Sequence, residues 1–313
     1  MDRRTLLGSA VAAAASAGLS AQTAAPPPAA KIVSSVMLWT LPGGSLEDKL
    51  LVVARTGIQS VELLTEHAGW TQIEMQRARR ALRTFNLSVD TIAIAPEPNH
   101  AGDAGSPLDA ARRGGFLAAV SRHLELARTL DAPMVLVTAG AGLPGRPVQE
   151  QWASLVESCR RTGDMAAKLG VTLVVEPVNG KVEQPGSFLQ TAADGVRLIK
   201  EVDHQHVRLI YDLYHEQVQT GDAVAAIESA GPFVKLFHIA DAPDRRDPGT
   251  GTIRFDAIYR AIGKLGFEGH IAMEYRPAGE AAPSLIRAVD AMRKSLANEA
   301  PAPVPPTPTP KKA

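Results

Sequence analysis

Four short apolar segments in the second half of the chain each end in a side chain that could bind a metal ion. These side chains belong to Glu176, Asp212, His238 and Glu274. A carboxylate at the end of an apolar strand is costly to bury while charged, and three together would repel one another unless a cation joined them. Three carboxylates and one imidazole suit a divalent ion such as Mn²⁺, Mg²⁺, Co²⁺ or Zn²⁺. The alternative is a separate salt bridge from each acid to an inward-facing lysine or arginine.

Eight apolar, β-branched segments are predicted to be strands. They are residues 32–39, 60–64, 87–95, 134–139, 172–178, 207–214, 234–240 and 270–275. Near-continuous apolar runs are typical of strands that are covered on both faces. The four candidate ligands fall late in the last four of these strands.

The segments between the predicted strands carry helix signals. Ser45, with Asp48 three residues later, predicts a capped helix start, and this helix should run to Thr56. Residues 151–169 place apolar side chains on one face, and Gly170 predicts the end of that helix.

Repeated strand–helix units predict parallel strands joined by right-handed crossovers. Eight units predict a closed (β/α)8 TIM barrel in a single domain, a fold whose functional residues lie at the C-terminal ends of the strands. An open, doubly wound sheet is the alternative. No G-x-G-x-x-G follows the first strand, which disfavours the dinucleotide-binding version of that alternative.

The charge balance and the cysteine content exclude several classes of protein. The 313 residues include 33 Lys+Arg and 33 Asp+Glu, so the formal net charge is zero. No bulk attraction to nucleic acid or to an anionic membrane is therefore expected. A single cysteine, Cys159, excludes an internal disulfide framework and a cysteine-rich zinc module, and its place on the apolar face of a helix predicts a core residue.

The N-terminus resembles a bacterial export signal of the twin-arginine type. Arg3 and Arg4 precede a short apolar run, and small residues follow near a plausible cleavage point. The run is too short for a comfortable transmembrane helix, so we expect a periplasmic protein with no stable membrane anchor after cleavage; an uncleaved anchor is the alternative. The predicted organisation is a signal at 1–24, a linker at 25–31, the barrel domain at 32–298 and a Pro-rich disordered tail at 299–313.

Five motifs resemble the hydroxypyruvate isomerase group of the xylose isomerase-like barrels. They are EPVN at 176–179, YDLYH at 211–215, HIAD at 238–241, Arg245 followed by PGTG at 248–251, and EYRP at 274–277. The resemblance implies one divalent ion, Mn²⁺ or Mg²⁺ before Co²⁺ or Zn²⁺. It also implies that the ion is held by Glu176, Asp212, His238 and Glu274, and that Glu176 and Glu274 are the catalytic acid–base pair.

This pair of carboxylates fits isomerisation on chemical grounds as well. Moving a carbonyl along a hydroxy-carbonyl compound removes a proton from one carbon and returns one to its neighbour, through an enediolate. A metal ion would hold the substrate oxygens and stabilise the developing negative charge. We therefore expect a metal-dependent isomerase of a small hydroxy-keto acid or a free sugar. Because family members are often oligomers, a homo-oligomer is an open expectation.

Three further residues are candidates for substrate binding. His215 follows the strand-six acid and could hydrogen-bond substrate oxygens or orient a metal ligand, the alternative being a loop histidine at a helix start. Glu62 could bind a substrate hydroxyl, or could form a salt bridge. Arg245 could hold a substrate carboxylate, or could be a surface arginine. Asn179 and Arg276 are weaker candidates.

Other functions share parts of this pattern. A keto-sugar epimerase or a lyase would start with the same proton removal, and an exported sugar-binding protein could keep the barrel without turnover. A DNA-repair endonuclease on a related barrel is disfavoured, because that chemistry uses many more histidines and this chain has no net positive charge. The loops that face the substrate depart from the hydroxypyruvate isomerase pattern at residues 64–70, Arg246, Asp247 and Thr252, so the reaction class is better supported than hydroxypyruvate itself. Export also disfavours a phosphorylated substrate.

Overall fold

A computed structural model of the chain describes residues 31–94 and 105–299, and within them eight parallel strands close into one barrel. The strands are β1 (Lys31–Met37), β2 (Ser60–Leu63), β3 (Ser88–Ala93), β4 (Met134–Thr138), β5 (Thr172–Glu176), β6 (Val207–Asp212), β7 (Val234–Ile239) and β8 (Glu268–Met273). They pair in chain order and β8 closes onto β1, which confirms the predicted single-domain (β/α)8 barrel.

Most predicted strands extend a few residues too far at their C-terminal ends. β6 ends at Asp212 rather than at residue 214, because the Asp212 side chain caps the helix that follows. β8 begins two residues before its predicted start and ends at Met273, so Glu274 lies just beyond the strand. Residue 95, the predicted end of the third strand, lies outside the described residues.

Helices follow the strands and cover the outside of the barrel. They are α1 (Leu46–Val53), α2 (Gln72–Thr84), α3 (Arg113–Thr129), α4 (Val148–Leu169), α5 (Ala192–Val202), α6 (Leu213–Thr220), α7 (Ile227–Ala230), α8 (Phe255–Lys264) and α9 (Ala281–Glu299). The predicted capping box of Ser45 and Asp48 is present, although α1 ends three residues before Thr56. Gly170 ends α4 with a φ of 68°, a left-handed conformation that favours glycine.

The alternation of side chains along the strands separates two apolar cores. The larger core lies between the strands and the helices and contains Cys159, which is buried as predicted and whose pKa burial raises to about 12. The smaller core fills the barrel interior, where Val174, Ile210, Leu236 and Ala272 contribute one residue from each of the last four strands. Because side chains two residues apart lie on the same face of a strand, the next inward positions are the four candidate ligands.

The predicted terminal segments lie mostly outside the part of the chain that the structure describes. The signal at 1–24, most of the linker and nearly all of the tail lie outside the described residues, apart from Lys31, which starts β1, and Glu299, which ends α9. Within the described part of the chain, no helix is both long enough and apolar enough to cross a membrane.

Candidate metal and active site at the barrel mouth

The four candidate ligands converge at the C-terminal end of the barrel. They are Glu176, Asp212, His238 and Glu274, all buried, and each offers a ligand atom within 4.8 Å of the others. Ligands about 2.1 Å from an octahedral ion are separated by about 3 to 4.2 Å. The cluster therefore has dimensions that a single divalent ion could bridge after small movements.

The hydrogen-bonding capacity of His238 also fits a cation. Its Nδ1 atom lies 2.9 Å from Glu176 Oε1 and 2.8 Å from Glu274 Oε2. One ring nitrogen carries at most one hydrogen, so it can donate to only one of these oxygens. The hydrogen bond is formed with Glu176, and Glu274 Oε2 is left buried without a donor. A cation would satisfy this carboxylate oxygen, so the residues present fit a divalent ion.

The carboxylates around His238 control its charge. Burial by itself would lower the pKa of the imidazole, but the surrounding carboxylates raise it well above its usual range. These carboxylates belong to Glu62, Glu274 and Glu176. An ion bound at Nδ1 would therefore have to displace a proton that these carboxylates stabilise on the ring.

The other acids of the cluster are perturbed in opposite directions. Burial raises the pKa of Asp212, an effect that the neighbouring side chains of His215 and Arg245 partly offset. Burial would also raise the pKa of Glu274, but Arg245 and His238 hold it well below its usual value. Two cationic side chains, Arg245 and His238, therefore offset part of the negative charge of the three carboxylates.

Arg245 places its guanidinium group inside the site. Its Nη2 atom lies 2.7 Å from Glu274 Oε1 and 3.5 Å from Asp212 Oδ2. The group also lies 5.3 Å from the ring centre of Trp39 and 5.1 Å from that of Tyr214. Arg245 is thus no surface arginine. Its ion pairs with Glu274 and Asp212 belong to the salt-bridge arrangement that is the alternative to a metal site. At these distances, however, it pairs with only these two of the four candidate ligands.

His215 is held beside the cluster in a defined orientation. Asn179 Oδ1 accepts hydrogen bonds from the backbone N–H groups of Val182 and Glu183, so its amide nitrogen faces His215 Nδ1 at 2.7 Å. His215 Nδ1 is therefore an acceptor and Nε2 carries the hydrogen, 3.7 Å from Asp212 Oδ2. The histidine lies at the start of α6 and adjoins a candidate ligand, while its role in substrate binding stays a prediction.

Glu62 lies against the imidazole of His238 in the barrel interior. Its side chain is completely buried, and its Oε2 atom is 3.2 Å from His238 Nε2. Burial raises the pKa of this carboxyl group, and the charge of His238 opposes that effect. This position favours contact with the imidazole over contact with a substrate hydroxyl.

Three residues that the sequence analysis did not select complete the wall of the site. Trp39 Nε1 donates a hydrogen bond to Glu274 Oε1 at 3.1 Å, and Tyr214 Oη donates one to Glu183 Oε1 at 2.9 Å. Glu183 Oε2 also lies 3.7 Å from Arg245 Nη1. Trp39 and Tyr214 each lie two residues beyond a strand end, so an aromatic residue at such a position is a signal that the sequence offered.

Asp241 organises the loop that carries Arg245. Its carboxylate accepts four backbone N–H groups, from Ala242 and Ile253 at Oδ1 and from Gly249 and Gly251 at Oδ2. A Cβ atom on Gly251 would lie 1.9 Å from the carbonyl oxygen of Ala242, so the loop closes too tightly for a side chain there. The carboxylate therefore fixes the loop geometry from its base.

Asp241→Asn should loosen this loop. One acceptor oxygen becomes an N–H donor that faces two backbone donors, which should cost about 2 to 4 kcal/mol of unfolding free energy. Urea unfolding measures this change. The control is Asp244→Asn, an exposed residue of the same loop, and equal stability of the two variants would contradict the role given to Asp241.

The fold and the cluster together define a parallel (β/α)8 barrel with a set of acidic and histidine side chains at the mouth that could hold a metal. Residues 50–295 match the family described as Xylose isomerase-like TIM barrel. This match covers most of the chain, so the protein belongs to that family, as the motifs indicated.

Two similar proteins are described as isomerases of small acids. The chain is 29% identical over 232 residues to a 2-oxo-tetronate isomerase of Cupriavidus necator, covering 74% of this chain and 86% of that protein. It is 28% identical over 177 residues to the hydroxypyruvate isomerase of Escherichia coli, covering 56% of this chain and 68% of that protein.

Solved structures share the same fold. A protein described as AP endonuclease, family 2, from Brucella melitensis is 26% identical, with a TM-score of 0.70, covering 84% of this chain and 98% of that one. A D-psicose 3-epimerase from Clostridium cellulolyticum is 20% identical, with a TM-score of 0.68, covering 85% of this chain and 95% of that one. The second likeness supports the fold alone.

Proposed function

We propose that this chain is a metal-dependent isomerase of small hydroxy-keto acids, which moves a carbonyl between neighbouring carbons through an enediolate. The observation that carries the proposal is the convergence of three carboxylates and an imidazole within 4.8 Å at the barrel mouth. The relatives from Cupriavidus necator and Escherichia coli support isomerisation, since both are described as isomerases of keto acids.

The ion would be held by Glu176, Asp212, His238 and Glu274. A bound divalent ion supplies Lewis-acid polarisation of the substrate's carbonyl and hydroxyl oxygens, and it stabilises negative charge there. Mn²⁺ and Mg²⁺ suit three carboxylates best, whereas Co²⁺ and Zn²⁺ also accept an imidazole readily.

In this proposal the two glutamates move the protons. Glu176 and Glu274 come from the outer two of four consecutive strands, with Asp212 and His238 between them in barrel order. One glutamate would remove the proton next to the carbonyl, and the other would deliver a proton to the neighbouring carbon. Trp39 fixes Glu274 by its 3.1 Å hydrogen bond, so that carboxylate has a defined orientation toward the substrate space.

Arg245 indicates the substrate class. A guanidinium group binds a carboxylate through two parallel hydrogen bonds, and this one is held between two aromatic rings at the site. A neutral sugar would offer this cation no countercharge, whereas a hydroxy-keto acid would. Epimerase and lyase reactions start with the same proton removal, but the relatives with the highest identities reported above favour the isomerase.

We further propose that the protein acts outside the cytoplasm. The twin arginines and the short apolar run of residues 1–24 support export, and an exported enzyme would meet unphosphorylated acids more often than phosphorylated intermediates. Detection of the processed chain in a periplasmic fraction tests this proposal separately from the reaction.

Metal content and proton exchange test the enzyme proposal. The full chain, purified without chelator or added metal, should carry about one divalent ion, and EDTA should remove both the ion and the activity. Mn²⁺ should restore exchange of solvent deuterium into hydroxypyruvate or a 2-oxo-tetronate, followed by NMR. Because an ion must replace the proton on His238, metal affinity should also rise with pH.

Asp212→Asn is the matched variant for this test. The asparagine keeps the oxygen that accepts the backbone N–H of His215, so α6 should still start correctly. The lost carboxylate should weaken metal binding, and excess Mn²⁺ should recover most of the activity. Failure of the wild-type chain to bind Mn²⁺ or Mg²⁺ would contradict the isomerase proposal and favour a non-catalytic binding protein.

A further inference from the structure

The imidazole of His238 is contacted on both of its nitrogens. Nδ1 faces the carboxylates of Glu176 and Glu274, while Nε2 faces Glu62 Oε2 at 3.2 Å. The side chains of His238 and Glu62 are both 0% exposed. The ring therefore lies between the candidate metal cluster and a carboxylate buried behind it.

This arrangement restricts the tautomer of a metal-bound ring. A ring nitrogen that binds a metal uses its lone pair and carries no hydrogen. If Nδ1 binds the ion, Nε2 must keep the hydrogen, and that hydrogen needs an acceptor because the ring is completely buried. Glu62 provides the acceptor at the required position. Metal-binding histidines in proteins are commonly oriented in this way by an acceptor on the other nitrogen.

The backbone of β2 determines where Glu62 lies. Val61 and Leu63 pack into the core between strands and helices, so Glu62 between them faces the barrel interior. It pairs in register with Met37 of β1 and Thr91 of β3. Such a buried carboxylate is costly unless it accepts a hydrogen bond or pairs with a charge. His238 is the partner that the structure records for it, since the other oxygen, Oε1, has no hydrogen-bond partner.

We propose that Glu62 is a positioning residue for the metal site, which holds His238 in the Nε2–H tautomer and directs Nδ1 toward the ion. The inference rests on the proposed function, because it concerns a ligand of the proposed ion. It replaces the substrate-binding role that the sequence suggested for Glu62 with a contact on the far side of the imidazole.

Asp90 provides a matched control for Glu62. It is also a buried carboxylate in the barrel interior, and its Oδ1 atom accepts a hydrogen bond from Ser35 Oγ at 3.0 Å. Among the recorded hydrogen bonds and ion pairs of the described residues, none joins Asp90 to His238. Asp90→Asn therefore makes the same chemical change at a second buried carboxylate that no hydrogen bond joins to Nε2.

The first measurement uses the unmodified protein. Full-length chain labelled with ¹⁵N-histidine and loaded with Zn²⁺ should show one imidazole with a metal-shifted Nδ1 and a protonated, hydrogen-bonded Nε2. The resonance is assigned by its loss in His238→Gln. A metal-bound ring with the hydrogen on Nδ1, or with Nε2 bound to the ion, would overturn the inference without any change at Glu62.

The second measurement is a mutant cycle on metal affinity. Glu62→Gln replaces the charged acceptor of Nε2–H by a weaker, neutral amide, and should weaken Mn²⁺ binding 10- to 100-fold by calorimetry, about the range found when such partners of metal-binding histidines are replaced. Asp90→Asn should change it by less than about threefold, because Asp90 reaches His238 only through a longer-range charge interaction and not through a hydrogen bond. In the His238→Gln background, Glu62→Gln should have no further effect.

The outcomes separate this inference from the proposed function. Wild-type protein that binds Mn²⁺, with Glu62→Gln equal to it, would overturn the role of Glu62 and leave the metal site standing. A further loss from Glu62→Gln in the His238→Gln background would show that Glu62 acts elsewhere, and would also overturn the role. Wild-type protein that binds no divalent ion would overturn the metal site and this inference together.

Discussion

Glu274→Gln should reduce the exchange of solvent protons into substrate by at least about 10²- to 10⁴-fold, the contribution usual for general acid–base catalysis. The amide that replaces the carboxylate can still accept a hydrogen bond, but it cannot take up or release a proton at neutral pH. The loss should therefore appear in kcat rather than in KM. If Glu274→Gln exchanged protons at the wild-type rate, its assignment to the acid–base pair would be wrong.

The barrel should stay folded in this variant. The glutamine oxygen can keep the hydrogen bond from Trp39 Nε1, which joins the end of β1 to the end of β8. His238 keeps Glu176 as a partner on one nitrogen and Glu62 on the other. Arg245 loses its closest carboxylate but keeps Asp212 and Glu183 within 4 Å.

Two comparisons separate lost proton transfer from lost metal binding. Asp212→Asn removes a candidate ligand that the proposed mechanism does not use for proton transfer, so saturating Mn²⁺ should restore the activity of this variant. The same Mn²⁺ concentration should leave Glu274→Gln inactive. Glu280→Gln makes the same substitution at an exposed residue a few positions away and should behave as wild type. If excess metal restored the activity of Glu274→Gln, Glu274 would be a metal ligand only and not part of the acid–base pair.

The fold and the candidate ligands could be predicted because both follow from local patterns. Strands buried on both faces are apolar along their length, so the four charged or polar side chains that interrupt them stand out. The positions of these four side chains could be predicted as well, as the pair Val174 and Glu176 shows. Residues two apart share a face, so the ligand follows directly above a residue of the inner core. A closed barrel then brings the four strand ends together.

The remaining parts of the site depend on contacts between distant segments. Trp39 and Glu274 are joined by a hydrogen bond across 235 positions of the chain, and Glu62 and His238 across 176. No local pattern in a single sequence states such a pairing. The end of β6 was misplaced for a different and local reason, since Asp212 lies in an apolar run but its side chain caps α6 by accepting from the backbone N–H of His215.

Arg245→Gln should raise KM for a hydroxy-keto acid by about 10- to 100-fold, since a hydrogen bond to a charged group contributes about 1.5 to 3 kcal/mol. Glutamine removes the charge but keeps a Cβ atom, so the positive φ of 53° at this position is equally strained before and after the change. Mn²⁺ affinity should hold or increase, because a cation within 3.5 Å of two candidate ligands is removed.

The choice of substituents and substrates distinguishes recognition of a carboxylate from general disruption. Arg245→Lys keeps the charge but loses the planar pair of donors, so its KM should lie between those of wild type and glutamine. Arg246→Gln removes the same charge from the exposed neighbouring residue and should change KM little. Exchange into a neutral hydroxy-ketone of similar size should be insensitive to Arg245→Gln. An equal loss on acid and ketone would instead mean that Arg245 maintains the shape of the site, and the substrate would then have to be sought among neutral sugars.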